Sequence, residues 1–475
     1  MNCSTDVPPA FGQWANQIRR SGRVREGMRC FRPSKVSKGL NLSFQAHDPY
    51  PPFCFDLCEN EEVVRVRCKN GYGADPPRLL QVNHLLTIRA ENEMMFDAPR
   101  DPSPALRPIA FYLPQYHPTP ENDAFWGKGF TEWRNVVQAR PRFPGHEQPH
   151  IPADLGFYDL RVPEAREAQA ELARNAALYG FCYHHYWFCG RRVLHRPLDD
   201  MLASGRPDFP FMLSWANENW TRAWDGGAHE VLLAQSYSDA DTVAHAHHLA
   251  PIFADPRYIC IENRPAFAVY NADEIPCPNR WCDLFRETSL KQGLDPYLIR
   301  IERYLDKDTR PPKELGFDAA LEFQPFSRNF RRWQNTRPDL KAHLGRRIGN
   351  RLRRDWQRLQ SWKSFDTHHD MKAFVAFDSC QPPPDYTCFP GVCPSWDNSA
   401  RRPEGQGIIF RGSAPEVFED WLDAKRRDFR WTGDTNLLFI NAWNEWAEGC
   451  HLEPCLRHGN NWLKVVLSQA ELSRC

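Results

Sequence analysis

The chain has no run of 18 or more apolar residues. It therefore offers no segment that could cross a bilayer as a helix. It has no net charge either, since 60 Lys+Arg balance 60 Asp+Glu. That balance argues against nucleic acid or an acidic partner as the main ligand. No GxGxxG or GxxxxGK[ST] loop is present to cradle a phosphate, and no GxSxG elbow to carry a nucleophilic serine. The 16 Cys include no CxxC pair. The nearest pairs, Cys54/Cys58, Cys277/Cys282, Cys388/Cys393 and Cys450/Cys455, lack zinc-ligand spacing. Residues 1–22 are polar and broken by Pro8 and Pro9, without the basic-then-apolar pattern of an export signal. A cytoplasmic protein with free thiols is the expectation.

Two short motifs suggest a metal and neither holds. His146-Glu-Gln-Pro-His150 has the letters of a zinc-protease site. That chemistry needs both His on one helical face, and Pro149 would cost about 3 kcal/mol inside such a turn. Asp306-Lys-Asp308 is a lone DxD. No metal or cofactor is expected.

What the chain does have is aromatic side chains: 17 Trp, 30 Phe and 14 Tyr. Much of the Trp sits beside polar residues, a pattern that suits a carbohydrate groove better than a core alone. Residues 1–104 differ from the rest, being rich in Pro, Arg and Cys. They read as a poorly ordered or small β-rich N-terminal extension, with short strands at Val63–Arg67 and Leu85–Ala90. Asp97–Pro104 is a linker by composition.

From Arg107 onward, strand-like runs alternate with helical ones. The expected strands are Ile109–Pro114, Gly180–Tyr186, Phe209–Trp215, Ala266–Tyr270, Tyr297–Ile301, Ala319–Phe323, a less distinct one between Phe374 and Val392, and Leu437–Asn441. A helix with Pro163 in its first turn runs through Leu178 and stops at Gly180, and another begins at Ser413-Ala-Pro-Glu416. Eight βα units predict a TIM-type (β/α)8 barrel over residues 105–475.

In such a barrel the C-terminal strand ends share one face, where sites are built. Here they carry Tyr112, Gln115, Tyr116 and His117, then His184, His185 and Trp187. Asn217, Glu218 and Trp220 follow the third strand, Tyr270 and Glu322 end later ones, and Trp396 and Asp397 precede the last. Trp187, Trp220 and Trp446 are expected to line one concave wall. One segment breaks the rhythm: the basic stretch Arg328–Arg358. It reads as a solvated insertion or as a contact for a phosphate, lipid head group or acidic glycan.

The densest chemistry follows the apolar run Leu437–Ile440. Asn441, Asn444, Glu445, Glu448, His451 and Glu453 are crowded among Trp443 and Trp446. Carboxylates supply acid and base, and indoles supply a flat face for a sugar ring. Glu445 and Glu448, at i and i+3, fall on one side of a helical turn with Cβ atoms roughly 5–6 Å apart. Two carboxyls that close split their proton affinities, leaving one acid and one base.

Phe111-Tyr-Leu-Pro-Gln-Tyr-His117, Gly129-Phe-Thr-Glu-Trp133, Asp154-Leu-Gly-Phe-Tyr-Asp159, Gly180-Phe-Cys-Tyr-His-His-Tyr-Trp-Phe188, Ser214-Trp-Ala-Asn-Glu-Asn-Trp220, Trp396-Asp-Asn-Ser-Ala-Arg-Arg402 and Asn441-Ala-Trp-Asn-Glu-Trp-Ala-Glu-Gly449 together resemble the WbsX-type glycosyltransferases. That family is related to the family-99 glycoside hydrolases, the endo-α-mannosidases. The resemblance spans roughly residues 107–470 and implies a barrel enzyme without metal or nucleotide cofactor. It further implies Glu445 as a base that assists the sugar's own 2-hydroxyl through a 1,2-anhydro intermediate, and Glu448 as the acid that protonates the leaving oxygen. An oligo- or polysaccharide is the expected substrate. Three readings stay open: a retaining hydrolase or transglycosylase, a transferase that builds cell-surface polysaccharide such as lipopolysaccharide O-antigen, and a glycan-binding barrel without catalysis.

Overall fold

The computed structural model describes residues 106–222, 227–336, 366–428 and 436–473, with three short strands nearer the start. The chain divides into two compact units, Met1–Arg100 and Asp101–Cys475. In the first, Leu40–Ser43, Phe53–Leu57 and Arg65–Cys68 form an antiparallel sheet in sequence order. The expected strand Leu85–Ala90, the linker Asp97–Pro104 and most of the basic stretch Arg328–Arg358 lie outside the described residues.

The second unit is the (β/α)8 barrel. Its strands are β1 (Arg107–Tyr112), β2 (Gly180–Phe188), β3 (Phe211–Trp215), β4 (Arg264–Val269), β5 (Tyr297–Glu302) and β6 (Ala319–Glu322), then a divided β7 (Cys388–Phe389 and Gly391–Val392) and β8 (Leu437–Ile440). Every neighbouring pair is parallel. The first piece of β7 pairs with β6 and the second with β8, while β8 pairs with β1 through Leu437↔Arg107 to Ile440↔Ala110. The ring closes as the sequence predicts, first strand against last. Pro390 divides β7 because it has no N–H to give the ladder; its carbonyl still accepts from Phe439 N at 2.9 Å.

Helices α1 (Pro163–Asn175), α2 (Arg196–Ser204), α3 (Asp239–Phe253) and α4 (Pro278–Leu290) follow the first four strands. β5 and β6 are joined by only a 3-10 turn, Pro312–Leu315. Among the described residues two helices, α5 (Arg328–Thr336) and α6 (Met371–Asp378), lie between β6 and β7; α7 (Pro415–Asp428) and α8 (Asn461–Leu472) complete the ring. One expectation needs correction. Helix α1 ends at Asn175, because Ala177 turns to φ 56 and Leu178 N folds back onto Ala173 O. The less distinct strand expected between Phe374 and Val392 is present at the far end of that span, from Cys388, while Phe374 itself belongs to α6 and is buried against Trp421 of α7. Among the described residues no helix is long and apolar enough to cross a membrane.

Phe111, Phe323 and Phe439 meet at centroid distances of 5.3 and 6.0 Å. This aromatic plug leaves polar groups for the strand ends above it. At the closing seam, a Cβ on Gly391 would stand 2.1 Å from the carbonyl oxygen of Glu322. Only a glycine lets β6 and β7 approach that far. We expect Gly391→Ala to lower stability by at least about 2 kcal/mol, the scale of an overpacked core, measured by denaturant unfolding of the full chain. Unchanged stability would mean that the seam tolerates a looser fit than this contact allows.

Candidate active site

The carboxylate loop leaves β8 as a tight hairpin. Asn444–Glu445 pairs antiparallel with Cys450–His451, and a 3-10 turn, Trp446–Glu448, joins them. Gly449 ends the turn at φ 57, where a Cβ would stand 3.0–3.1 Å from atoms of Asp397. Gly449 therefore serves twice, for its left-handed backbone and for the close approach. Asp397 N donates to Glu448 O at 2.7 Å across that contact.

Both predicted carboxylates meet one cation. The Arg401 guanidinium lies 2.7 Å from Glu445 Oε2, 2.7 Å from Glu448 Oε1 and 2.6 Å from Glu132 Oε1. His184 Nε2 is 3.6 Å from Glu445 Oε1. The Glu132 and Glu445 side chains are 0% and 8% exposed, while Glu448 is the most open at 21%. One guanidinium cannot neutralise three buried carboxylates, so their proton affinities separate. Burial raises that of Glu445, but the Arg401 charge and the His184 hydrogen bond outweigh it and hold the group below the usual carboxylate range. Glu448 is pushed up to about 7 by burial, against Arg401, with the charges of Glu445 and Glu132 adding to the rise. Burial raises Glu132 as well, with Arg401 opposing.

Arg401, Glu132 and Tyr186 were missed as site residues by the sequence reading. Arg401 and Glu132 stand inside Trp396–Arg402 and Gly129–Trp133, a visible signal, since a charge fixed among aromatics needs a partner. Tyr186 could have been found by strand period. His184 and Tyr186 alternate on β2, and the Tyr186 hydroxyl feels Glu445 and Arg401.

The same alternation corrects three assignments. His185 and Trp187 point outward against α3. His185 Nε2 is 2.9 Å from His245 Nε2, and the Trp187 ring stacks on His245 with its Nε1 donating to Asp241. Tyr112 also points outward, its hydroxyl donating to Gln169 Oε1 of α1 at 2.6 Å. None of the three reaches the mouth.

Four more predicted site residues are struts beneath the loop. Asn444 clamps Leu113, accepting from its N–H at 2.7 Å and donating to its carbonyl at 3.1 Å. The Tyr116 hydroxyl donates to Asn444 O and receives Trp446 N. Trp446 is 1% exposed, stacks on His451 at 3.7 Å and donates to Glu453 Oε2 at 2.6 Å. It therefore does not line a groove. Glu453, also 1% exposed, further accepts from Tyr158 and Gln169, and burial pushes it up to about 7. Glu322 needs correction too: it is occupied by Lys425 at 2.8 Å and Arg328 at 3.4 Å.

The remaining predicted residues are held as follows. Gln115 O accepts from Glu132 N. His117 is 2% exposed, and burial lowers it to about 4. Asn217 is fully buried and ties β3 to Asn271. Glu218 accepts from Asn271 at 2.7 Å and from Arg303 at 2.5 Å. The Arg303 guanidinium lies 4.7 Å over the Tyr270 ring, and Glu448 acts on the Tyr270 hydroxyl through its charge. Trp220 is half-buried against Tyr186 and Phe188.

Trp396 is buried edge-on to Phe326 at 4.8 Å. Burial works against ionisation of Asp397, yet hydrogen bonds from His146 (2.6 Å) and Ser399 N hold it down to about 2. His146, Trp396, Asp397 and Gly449 line a cleft of about 180 Å³. The two His of the HExxH letters diverge as expected: His146 meets Asp397, while His150 meets His451 at 3.0 Å.

Comparison with known proteins places this geometry. The 2 curated relatives found are both the uncharacterized protein WxcX of Xanthomonas campestris pv. campestris, from strains B100 and ATCC 33913. Each is 40% identical over 361 residues, or 75% of this chain. The chain spans about half (48%) of their length. Among solved structures, the GH99 endo-α-mannosidase of Bacteroides thetaiotaomicron, in complex with bis-tris-propane, aligns with a TM-score of 0.49 and 14% identity, covering 78% of this chain and 97% of that one. A GH113 β-1,4-mannanase aligns with a TM-score of 0.33 and 11% identity, covering 66% of this chain and 94% of the other. The profile of the glycosyltransferase WbsX family matches residues 108–466. The chain therefore belongs to the WbsX glycosyltransferase family.

Proposed function

We propose that the barrel mouth cleaves or transfers an α-mannoside-like bond of an oligo- or polysaccharide by a retaining mechanism on two carboxyl groups. Glu445, held ionised by Arg401 and His184, accepts the proton of the sugar 2-hydroxyl as that oxygen attacks the anomeric carbon. Glu448, held protonated near neutral pH, donates to the departing oxygen. In the second step the incoming hydroxyl gives its proton to Glu448 while Glu445 returns its own to the 2-oxygen. The observation that carries this reading is the Arg401 bridge. It holds both carboxyls in one place while their proton affinities are driven apart, the division of labour that acid–base catalysis needs.

The identity of the incoming hydroxyl separates hydrolysis from transfer. Family membership favours a sugar hydroxyl, and so a role in building cell-surface polysaccharide. The test is incubation with α-linked mannosides, with and without nucleotide sugars, read by mass spectrometry. Hydrolysed fragments support water as acceptor, and lengthened chains support a sugar.

Three outcomes follow. Glu445→Gln and Glu448→Gln should each lower turnover by at least about 10²-fold with little change in thermal melting; near-wild-type turnover in either would remove the assignment. The pH profile of kcat/KM should be bell-shaped. Glu448 is raised, so its active protonated form persists below about pH 7 and is lost above it, giving the alkaline limb. Glu445 is lowered, so the acid limb falls below the ordinary carboxylate range. An alkaline limb that stays in place in Glu448→Gln would show that another group sets it. Third, Arg401→Met leaves Glu132 and Glu445 buried without a countercharge. It should cost about 3–5 kcal/mol, the scale of breaking a buried ion pair, by urea unfolding at pH 8. The loss should shrink at pH 5 as the carboxyls take up protons. A pH-independent loss would mean that packing, not charge, is what Arg401 supplies.

A further inference from the structure

A second cleft, of about 390 Å³, opens at the end of β5 beside the carboxylate site. Its walls hold five arginines, Arg300, Arg303, Arg328, Arg331 and Arg332, with the rigid segment Pro382–Pro384 opposite. Three of the five are engaged. Arg300 reaches Asp306 at 3.4 Å, Arg303 reaches Glu218 at 2.5 Å and Arg328 reaches Glu302 at 3.1 Å. Of the four wall carboxylates, Glu302 and Asp306 are taken up in those pairs, while the exposed Asp385 has no cation within salt-bridge reach among the described residues. Glu302 also accepts from Tyr386, and Asp308 is held by Arg310 at 2.6 Å.

Arg331 and Arg332 are left over. Both are exposed on α5, and among the described residues neither has a carboxylate within salt-bridge reach. Two deeper N–H groups also lack acceptors: Arg300 Nε, on a side chain only 2% exposed, and Arg328 Nε. Five guanidinium groups against four carboxylates leave the lining one positive charge in excess, with unspent donors.

We infer that this cleft binds a compact oxyanion, a phosphate or a carboxylate, carried by the substrate of the neighbouring site. A guanidinium presents paired N–H groups that match both oxyanions, and a recessed cleft with an excess of positive charge concentrates such a group. The volume suits a small ligand moiety. The cleft adjoins the reacting carboxyls through two residues: Arg303 lines it and covers Tyr270, whose hydroxyl feels Glu448. The inference rests on the sugar-processing reading of that mouth for its biology, but binding can be measured without turnover.

The experiment titrates the full chain with inorganic diphosphate, with trigalacturonate and with neutral mannotriose, by calorimetry at 50 and 500 mM salt. It compares wild type, Arg331→Ala/Arg332→Ala and Arg331→Lys/Arg332→Lys. At least one anion should bind, at least about tenfold more weakly in the Ala pair, with part of the loss restored in the Lys pair and all binding weakened by salt. Diphosphate alone points to an activated or carrier-linked sugar, trigalacturonate alone to an acidic glycan, and both to a general oxyanion seat. Each of these supports the cleft. Binding of neither anion, or affinity unchanged in an Ala pair of wild-type melting temperature, overturns it. Loss of turnover in the Glu445 and Glu448 variants leaves these titrations unaffected, so the two readings fail separately.

Discussion

The barrel mouth depends on one guanidinium shared by three carboxylates that water barely reaches. Arg401 comes from the segment before α7, Glu132 from the loop region after β1, and Glu445 and Glu448 from the hairpin after β8. A charge removed from water must be paired or must be neutralised by a proton. Here both remedies operate: Arg401 pairs with all three, and the remaining excess raises Glu132 and Glu448 while Glu445 stays ionised. The unequal proton affinities thus come from counting charges in a closed space. Three chain segments far apart in sequence are also tied together at the closing edge of the barrel, where β1 meets β8.

Around this centre, most of the polar residues carried by the strand ends do mechanical work. Asn444, Tyr116, Tyr158, Gln169, Trp446 and Glu453 form a buried network that ties the carboxylate hairpin to β1 and α1. Each buried polar group finds a partner, which is the condition for keeping it out of water. The hairpin is short and its 3-10 turn has few bonds of its own, so its geometry must come from outside. Carboxyl groups held by such a frame lose little entropy when a sugar arrives, which is the advantage of a preorganised site.

The barrel was legible because parallel strands buried on both faces leave apolar runs, such as Leu437–Ile440, that stand out against polar loops. Closure through a divided strand was not. Cys388–Phe389 and Gly391–Val392 are too short to register as periodicity, and only Gly391, set between Pro390 and Val392, hints at a tight seam. At the site, the carboxyl pair was legible from its spacing, but the direction of neighbouring side chains was not used. Strand residues alternate, so of the run His184-His-Tyr-Trp187 only the first and third can face the mouth. The sequence reading took residue type as its guide and placed His185 and Trp187 inside; the pleat turns them to α3. That Arg401 needs a partner was legible from its neighbours, but which partners was not, because they lie 269, 47 and 44 positions away in sequence, two of them visible only once β8 returns to β1.

The two charge systems at the mouth differ in a way that bears on how a charged substrate could be handled. The Arg401 system has more carboxylates than cations and is almost closed to water. The cleft beyond Tyr270 has more guanidinium groups than unpaired carboxylates and opens outward. An anion placed directly on Glu445 and Glu448 would face repulsion in a poorly screened space. Set on the far side of Tyr270 and Arg303, the same anion meets countercharge, and its sugar is left to span the gap. Arg303 faces both sides, bound to Glu218 at 2.5 Å and stacked over Tyr270 at 4.7 Å. In the reading proposed above, separating the acidic chemistry from the basic recognition would let one mouth hold a charged substrate without disturbing the proton balance at Glu448.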